Sequence, residues 1–368
     1  WTSPQNVNTM NSPRPSLLVA MVVTLFLSVD PVASYVQPSI LPSRLHQLQR
    51  DPPTDRGAAT LLPVSQPSRL AQPLRLASAA ESMPDYASPT RLSVGLGPLG
   101  RLNVFGLYYG LTSVGLGLVW LGANFATWIT YNFFWRVLRL KTFDKGRRAA
   151  IFLAHVWGTA LMRLTRCYPV VDVLEGAPAP KNVWSEKEGG TSVMYVANHC
   201  SWMDIPYMGA AIGWRNYKIV AKKELTKVPI LGQSILLGGH VCVDRSNRRS
   251  QIKTLRDGAG WLRSGVPLCA FPEGTRSKTG RVMAFKRGAF KMACTAGARV
   301  VPLSIVGSQR VMPVGWLMPK VSSRSVPARV VVHPPVESEG KTEKEVSEEV
   351  RQAIISGLPE EQRPAQQR

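Results

Sequence analysis

A histidine and an aspartate five residues apart, His199 and Asp204, are the first residues whose types and spacing suggest chemistry. They lie in the segment NHCSWMD, directly after the apolar run Val193–Ala197. A neutral imidazole can accept a proton from an alcohol, and a carboxylate can orient that imidazole. On one continuous helix the two side chains would point about 140° apart. A strand that ends at His199 and a helix that starts near Ser201 would let them meet, so we expect a general base here; a capping or core histidine is the alternative.

A second polar cluster, FPEGTRS at residues 271–277, follows the apolar run Leu268–Phe271. Gly274 allows a tight turn and a close approach of the backbone to a ligand. Arg276 offers a planar fork that suits a phosphate monoester. Glu273 could orient Arg276 or accept hydrogen bonds from backbone N–H groups. The alternative is a surface turn with a solvated salt bridge.

Two weaker clusters lie between these segments. The first, AKKEL at residues 221–225, places Lys222 directly after a predicted strand. The second, GGHVCVDR at residues 238–245, is a glycine-entered strand that ends in an Asp-Arg pair. For the lysines a solvated basic surface explains the pattern equally well.

Short β-branched runs alternate with helical stretches beyond residue 148, and this alternation predicts an α/β domain over 149–336 with a mostly parallel sheet flanked by helices. In such sheets the chemistry collects at the strand ends. The predicted strands are Val170–Leu174, Val193–Ala197, Lys218–Ala221, Val241–Asp244, Leu268–Phe271, Val300–Val306 and Arg329–His333. The predicted helices are Ala149–Thr165, Arg249–Arg263, Phe285–Ala296 and one capped by Thr342 that runs to Ile355 within an acidic tail, 337–368.

The first hundred residues have the composition of a targeting leader. Residues 1–34 contain a short charge-free apolar stretch that is typical of a signal peptide. Residues 35–100 are rich in Pro, Ser and Arg and have no Lys, which predicts disorder. Together they resemble a bipartite plastid-targeting leader, with an endomembrane destination such as the endoplasmic reticulum as the competitor.

Residues 101–148 predict an N-terminal membrane-associated helical segment. No charged side chain occurs from Leu102 to Trp135, which is longer than the ~20 residues needed for one helical span. Either a tilted span or a two-helix interfacial hairpin fits this length. A basic flank follows and would face anionic head groups.

The bulk composition narrows the class without choosing it. The net charge is +22, of which +19 lies beyond residue 102, and it suits nucleic acid, an anionic membrane or a phosphorylated substrate. The five cysteines are scattered without a CxxC pair, which argues against a zinc site and a disulfide scaffold. The basic residues are interleaved with glycines and strands rather than with stacking aromatics, so we expect no nucleic-acid partner.

Taken together, these motifs resemble the PlsC-type family of glycerolipid acyltransferases. Residues 198–204 match its N-H-x4-D block and residues 271–277 its F-P-E-G-T-R-S block, about 70 residues apart. Residues 222–225 are similar to its K-x-E-L element, 238–245 to its intervening Arg-ending block, and 301–307 to its fourth block. The resemblance covers about residues 135–335.

The resemblance implies an activity and a role for each matched residue. His199 would be the general base that deprotonates the acceptor hydroxyl, and Asp204 would orient it. The remaining site residues would form the glycerol-phosphate pocket or add positive charge to it: Glu273, Gly274, Thr275, Arg276, Lys222 and Arg245. The implied donor is an acyl thioester of coenzyme A or acyl carrier protein, with no metal and no cofactor. The acceptor favoured by the basic clusters is lysophosphatidic acid, with glycerol 3-phosphate or another lysophospholipid as alternatives.

Two other classes of function remain as hypotheses. A thioesterase or lipase could use Cys200 or a serine as nucleophile, although the sequence has no G-x-S-x-G elbow. A non-enzymatic binder of anionic lipid or nucleic acid could also account for the positive charge.

Overall fold

The structure is a computed structural model that describes residues 92–97, 100–179, 181–182, 192–228, 231–244 and 247–365. The predicted signal peptide, most of the predicted leader, and Arg245 lie outside these residues. The strands of the described part are β1 (Ser93–Gly95), β2 (Arg101–Asn103), β3 (Val170–Val173), β4 (Lys181–Asn182), β5 (Val193–Ala197), β6 (Gly213–Trp214), β7 (Lys218–Lys222), β8 (Val241–Val243), β9 (Leu268–Ala270), β10 (Arg299–Val306) and β11 (Arg329–Val332).

One central sheet has the strand order β3-β11-β10-β5-β9-β7-β8. The five strands from β10 to β8 run parallel to one another. Strand β11 is antiparallel to β10 and parallel to β3. The predicted α/β fold with a mostly parallel sheet is therefore confirmed.

Each of the seven predicted strands forms a strand of this sheet, with ends that agree to within one residue. The agreement has a physical cause: inner strands of a parallel sheet are buried on both faces and read as continuous apolar runs. In β5, for example, Met194 to Ala197 are all buried.

Helices cover both faces of the sheet. They are α1 (Val104–Asn132), α2 (Arg148–Leu164), α3 (Asp204–Ile212), α4 (Leu231–Leu237), α5 (Arg248–Arg263), α6 (Gly288–Ala296), α7 (Ser308–Val311) and α8 (Glu343–Ser356). One apolar core includes side chains from α1, α2 and α3, and the other includes side chains from α5, α6 and α8. Helix α6 begins three residues later than predicted, and α4 was not predicted.

The C-terminal helix beyond residue 336 packs against the α/β domain. Helix α8 begins with the predicted Thr342 cap, which forms a reciprocal capping box with Glu345. Its apolar face, Val346, Val350 and Ile354, is fully buried in the second core. The predicted acidic C-terminal helix therefore contributes an apolar face to the second core.

The charge-free segment forms one helix rather than a hairpin. Asn103 caps α1 by accepting a hydrogen bond from the N–H of Gly106 at 2.8 Å, and the helix continues as a π-helical turn, Phe133–Val137. Helix α2 packs antiparallel to it, with Trp120 stacked on Trp157 at 4.7 Å between ring centroids. By length and composition, Val104–Val137 is sufficient to cross a membrane.

The predicted leader does not stay irregular up to residue 100. Strand β1 pairs antiparallel with β2, with Val94 opposite Leu102. The turn between them includes Gly97 and Gly100 at positive φ, and a Cβ at Gly100 would lie 2.4 Å from the carbonyl oxygen of Gly315. Glycines that permit this close approach explain a hairpin that a propensity argument misses.

Candidate active site

The catalytic candidates meet at the carboxyl edge of the parallel strands. The segments that follow β5, β9 and β10 contribute His199, Glu273 and Ser308 respectively. Glu273 accepts a hydrogen bond from the N–H of His199. Ser308 donates one to Asp204, which also accepts from the N–H of Cys200, the residue after His199. Parallel strands place their carboxyl ends on one edge, so the clustering predicted from the sequence follows from the sheet topology.

The imidazole of His199 contacts the carboxylate of Asp204. Nδ1 of His199 lies 2.8 Å from Oδ2 of Asp204. Asp204 is fully buried, whereas the side chain of His199 is 15% exposed. Because Nδ1 is engaged by the carboxylate, Nε2 is the ring nitrogen left for a substrate, as in a base whose tautomer is fixed by an acid partner.

Three further groups hold the Asp204 carboxylate. Its Oδ2 accepts hydrogen bonds from the backbone N–H groups of Cys200 at 2.7 Å and Ser201 at 2.8 Å. Its Oδ1 accepts one from the hydroxyl of Ser308 at 2.5 Å. Asp204 is also the first residue of α3, where the helix dipole favours negative charge. The sequence does not predict Ser308, because nothing local relates it to a residue 104 positions away.

The helix after His199 starts later than predicted. It begins at Asp204 rather than near Ser201. The hydroxyl of Ser201 instead accepts a hydrogen bond from the N–H of Met203 at 3.1 Å and donates one to the carbonyl of Met312 at 2.8 Å. The bend between histidine and aspartate is therefore a turn closed by the aspartate carboxylate itself.

Glu273 hydrogen-bonds to the backbone of the loop that contains His199. It is buried, with Oε1 accepting from the N–H of His199 at 2.8 Å and Oε2 from the N–H of Met283 at 3.1 Å. Burial raises the pKa of Glu273 to about 7, and these two N–H groups oppose the rise. Both oxygens thus accept backbone N–H bonds, as one of the two expectations for Glu273 had it, and its place in the glycerol-phosphate pocket stays a prediction.

Phe271 fixes the plane of the imidazole. Its ring stacks on that of His199, with centroids 4.1 Å apart and an angle of 18° between the planes. The sequence analysis placed Phe271 at a strand end but gave it no role. The register of β5 and β9 brings the two aromatic residues together, since each follows its strand by one or two residues.

Arg276 lies beside the pair. Its guanidinium sits over the ring of Trp202, 4.8 Å from the centroid, in a cation–π contact. Burial lowers the pKa of Arg276, and the nearby carboxylate of Asp204 opposes this. An arginine remains charged in any case, so Arg276 places a positive charge over Trp202, in the turn between His199 and Asp204.

The turn before Arg276 has the backbone that its glycine predicts. Gly274 has φ +75°, and a Cβ there would lie 3.0 Å from Nζ of Lys286. Thr275 is exposed on the same turn. Lys286 is also exposed and its N–H donates to the carbonyl of Pro272 at 2.9 Å. This second cation next to the turn was missed, because a lone lysine in the first turn of a predicted helix carries no distinguishing pattern.

Lys222 is on the active-site edge but not in the catalytic cluster. It ends β7, which is separated from β5 by β9, or about 10 Å at the usual strand spacing. Its exposed ammonium pairs with Glu224 at 3.2 Å. Arg245 lies outside the described residues, so the structure does not place it.

Cys200 is unsuited to nucleophilic attack. It is 1% exposed, and its sulfur lies 3.2 Å from the hydroxyl of Ser308. Burial raises the pKa of its thiol well above the ordinary value, and the Asp204 carboxylate adds to the effect. Since the thiolate is the reactive form, the geometry argues against the acyl-cysteine alternative.

The fold and the site define a class of protein. Within the described residues, no hydroxyl or thiol side chain hydrogen-bonds to the imidazole of His199. An imidazole held by a buried carboxylate through one ring nitrogen is an arrangement that general bases use.

Comparison with known proteins supports this class. Residues 177–306 match the family model described as Acyltransferase. A 1-acyl-sn-glycerol-3-phosphate acyltransferase of Chlamydomonas reinhardtii is 36% identical over 225 residues, which are 60% of this chain and 61% of that protein. A chloroplastic 1-acyl-sn-glycerol-3-phosphate acyltransferase of Arabidopsis thaliana is 32% identical over 190 residues, 50% of this chain and 48% of that protein.

A solved structure agrees with the fold. The crystal structure of the 1-acyl-sn-glycerophosphate acyltransferase PlsC from Thermotoga maritima has a TM-score of 0.50 and 26% sequence identity, covering 68% of this chain and 94% of that one. Residues 177–306 therefore form an acyltransferase domain, and the chain is similar in fold to PlsC. It spans about half to three fifths of the length of the curated relatives named above.

Proposed function

We propose that this protein is a 1-acyl-sn-glycerol-3-phosphate acyltransferase. It transfers a fatty acyl group from a thioester of coenzyme A or acyl carrier protein to the sn-2 hydroxyl of lysophosphatidic acid, and the product is phosphatidic acid. The observation that carries the proposal is the 2.8 Å contact between His199 and Asp204, with the Arg276 guanidinium beside it. The printed names of the Chlamydomonas and Arabidopsis relatives agree with this acceptor.

The proposed chemistry is a direct transfer. Nε2 of His199 takes the proton of the sn-2 hydroxyl as its oxygen attacks the thioester carbonyl. The carboxylate of Asp204 stabilises the imidazolium that results. Collapse of the tetrahedral intermediate breaks the carbon–sulfur bond, and the imidazolium returns the proton to the leaving thiolate. The acceptor hydroxyl replaces the serine of a triad, so the mechanism needs neither an acyl-enzyme nor a metal or cofactor.

The acceptor phosphate is assigned to the turn at residues 272–276. Arg276 can bind a phosphate through its fork, and Lys286 adds a second positive charge next to Gly274. A free phosphate monoester gains most from this arrangement, which favours lysophosphatidic acid over a lysophospholipid with a neutral head group. Glycerol 3-phosphate shares the phosphate but lacks an acyl chain.

An acceptor panel with an arginine variant tests this assignment. We expect the wild-type chain to acylate lysophosphatidic acid in preference to glycerol 3-phosphate and lysophosphatidylcholine. Arg276→Ala should raise the KM for lysophosphatidic acid by about tenfold or more, since a hydrogen-bonded charge contributes about 1.5–3 kcal/mol. Arg256→Ala, which removes an arginine that is 79% exposed in α5, is the matched control and should leave the KM unchanged. An unchanged KM in Arg276→Ala would remove this residue from the phosphate site, and equal use of all acceptors would refute the acceptor.

A membrane location in the plastid completes the proposal. Helix α1 exposes a row of large apolar side chains, including Leu111, Val114 and Leu118, that are more than 60% exposed. The bipartite leader predicted from the sequence and the chloroplastic relatives in Arabidopsis thaliana and Brassica napus support the plastid. A fusion of residues 1–100 to a fluorescent protein should accumulate in plastids; accumulation in the endoplasmic reticulum would favour the endomembrane alternative.

A further inference from the structure

The chain beyond α8 folds back over the active-site edge of the sheet. After α8, a short 3₁₀ turn, Glu360–Gln362, brings Gln362 to a buried position at 1% exposure. Leu358, also 1% exposed, packs in the second apolar core and anchors this return. A buried glutamine must have its amide groups satisfied, so its partners indicate what it does.

Gln362 makes three hydrogen bonds to the backbone around the active site, besides the bond within its own turn from its N–H to the carbonyl of Pro359 at 2.9 Å. Its Oε1 accepts from the N–H of Gly307 at 2.9 Å, and its Nε2 donates to the carbonyl of Ile305 at 3.1 Å. Its backbone carbonyl accepts from the N–H of Val282 at 2.9 Å. The first two bonds connect Gln362 to the end of β10, and the third connects it to the loop after β9.

The residues at the end of β10 that bond to Gln362 lie next to residues that contact Asp204 and His199. Gly307 immediately precedes Ser308, whose hydroxyl donates to the Asp204 carboxylate. Ile305 also exchanges two hydrogen bonds with the side chain of Asn198, at 2.9 and 2.8 Å, and Asn198 immediately precedes His199. Gln362 therefore hydrogen-bonds to Gly307, the residue before Ser308, and to Ile305, whose backbone also bonds to Asn198.

The bond from Gln362 to the loop after β9 is also connected to His199 through hydrogen bonds. Val282 precedes Met283, whose N–H donates to Glu273, and Glu273 accepts the N–H of His199 through its other oxygen. Two further contacts hold the segment at residues 357–363. Arg310, in the helix after β10, forms an ion pair with Glu361 at 2.6 Å. Arg281, in the loop after β9, donates a hydrogen bond to the carbonyl of Arg363 at 3.0 Å.

We propose that Gln362 is a positioning residue for the acyl-transfer reaction: through the loops that follow β9 and β10 it holds Ser308 and Glu273, and thereby the orientation of Asp204 and His199. The inference rests on the proposed function for its kinetic readout. It gives the segment at residues 357–363 a role in catalysis, although this segment lies beyond the matched acyltransferase region, 177–306.

Kinetics of full-length variants give the first test. Gln362→Ala removes both amide bonds, and Gln362→Glu keeps the size and the acceptor for Gly307 but loses the donor to Ile305. We expect kcat to fall about tenfold in Gln362→Ala and by a smaller factor in Gln362→Glu, with the KM for lysophosphatidic acid within twofold of wild type. Gln352→Ala is the matched control, because Gln352 is exposed on α8 and its side chain donates to Glu348 on the same helix; its kcat should not change. An unchanged kcat in both Gln362 variants, or a raised KM with kcat intact, would overturn the proposal.

Cysteine alkylation gives a second test that does not depend on the reaction. The sulfur of Cys200 lies 3.2 Å from Ser308, whereas Cys269 is fully buried within β9. If Gln362 holds the Ser308 loop, Gln362→Ala should speed the alkylation of Cys200 several-fold, read by peptide mass spectrometry, while Cys269 keeps its wild-type rate. Equal acceleration of both cysteines would mean global destabilisation and would refute a positioning role. A wild-type chain without acyl transfer would refute the proposed function instead, and the alkylation result would still decide whether Gln362 orders this loop.

Discussion

At the scale of single residues, the site is ordered before any substrate binds. The Asp204 carboxylate accepts hydrogen bonds from two backbone N–H groups and one hydroxyl besides its contact with His199. The imidazole is confined between this carboxylate and the Phe271 ring. If His199 is the general base that we propose, an imidazole held in this way would need no reorganisation when the hydroxyl arrives, and such preorganisation is a main source of catalytic power.

Glu273 tests whether support of the histidine loop matters separately from substrate binding. In Glu273→Gln, the amide NH₂ must oppose one of the two backbone N–H groups that the carboxylate now accepts, so the His199 loop should shift. We expect kcat to fall about tenfold with the KM for lysophosphatidic acid within about twofold, measured by steady-state kinetics. Glu224→Gln, at an exposed acid paired with Lys222, is the control. A raised KM with normal kcat would return Glu273 to the substrate pocket.

At the scale of elements, strand ends and one apolar helix divide the work. The carboxyl ends of β5, β9 and β10 position the chemistry, and α1 packs against α2 with one face while its other face stays exposed. Near its start, α1 also reaches the site: the hydroxyl of Tyr109 lies 4.0 Å from the sulfur of Met203, one residue before Asp204. A helix that inserts into a bilayer would thus bring the site close to its lipid substrate.

The exposed face of α1 should decide membrane binding. Leu118 is 64% exposed on this face. Leu118→Lys removes the gain from burying one leucine in lipid, about 1.5–3 kcal/mol, so binding to anionic vesicles should weaken about tenfold or more in a co-sedimentation assay. Ile252→Lys makes a similar change at a side chain that is 58% exposed on α5 and should have no effect. Undiminished binding of Leu118→Lys would mean that this face does not enter the membrane.

At the scale of the whole molecule, the sequence predicted the sheet and the contact between His199 and Asp204 but not the contacts that hold these two residues. Strand positions were predictable because burial on both faces leaves continuous apolar runs. The His199–Asp204 contact was predictable because only a bend could bring the two together. Ser308 and Gln362 were not: their partners lie 104 and 55 or more residues away, and no local pattern records such a contact. The packing of α8 was not predicted either, because its exposed surface is acidic and its buried apolar face consists of a few residues.

Buried histidines set the response of the whole fold to acid. Burial lowers the pKa of His155 and His333 to about 4 and that of His240 to about 3. Between these values and about 6.5 the unfolded chain binds more protons than the folded one, so stability is lost as the pH falls through this window. Glu273, with its pKa raised to about 7, acts in the opposite direction, but three histidines outweigh one carboxyl.

We therefore expect the free energy of unfolding to fall between pH 7 and pH 5, by about 2 kcal/mol for each histidine. Urea denaturation in detergent at the two pH values measures this change. His333→Gln, which keeps an amide donor near the hydroxyl of Ser304, should show a smaller loss than wild type. Stability that is equal or higher at pH 5 would contradict the expectation.

The rate of phosphatidic acid formation by His199→Ala tests the central claim most directly. Loss of a general base lowers the rate by about 10²–10⁴-fold, and we predict a fall of at least 10²-fold while the urea midpoint stays near that of wild type. A His199→Ala enzyme that keeps a rate within a few-fold of wild type would contradict the account.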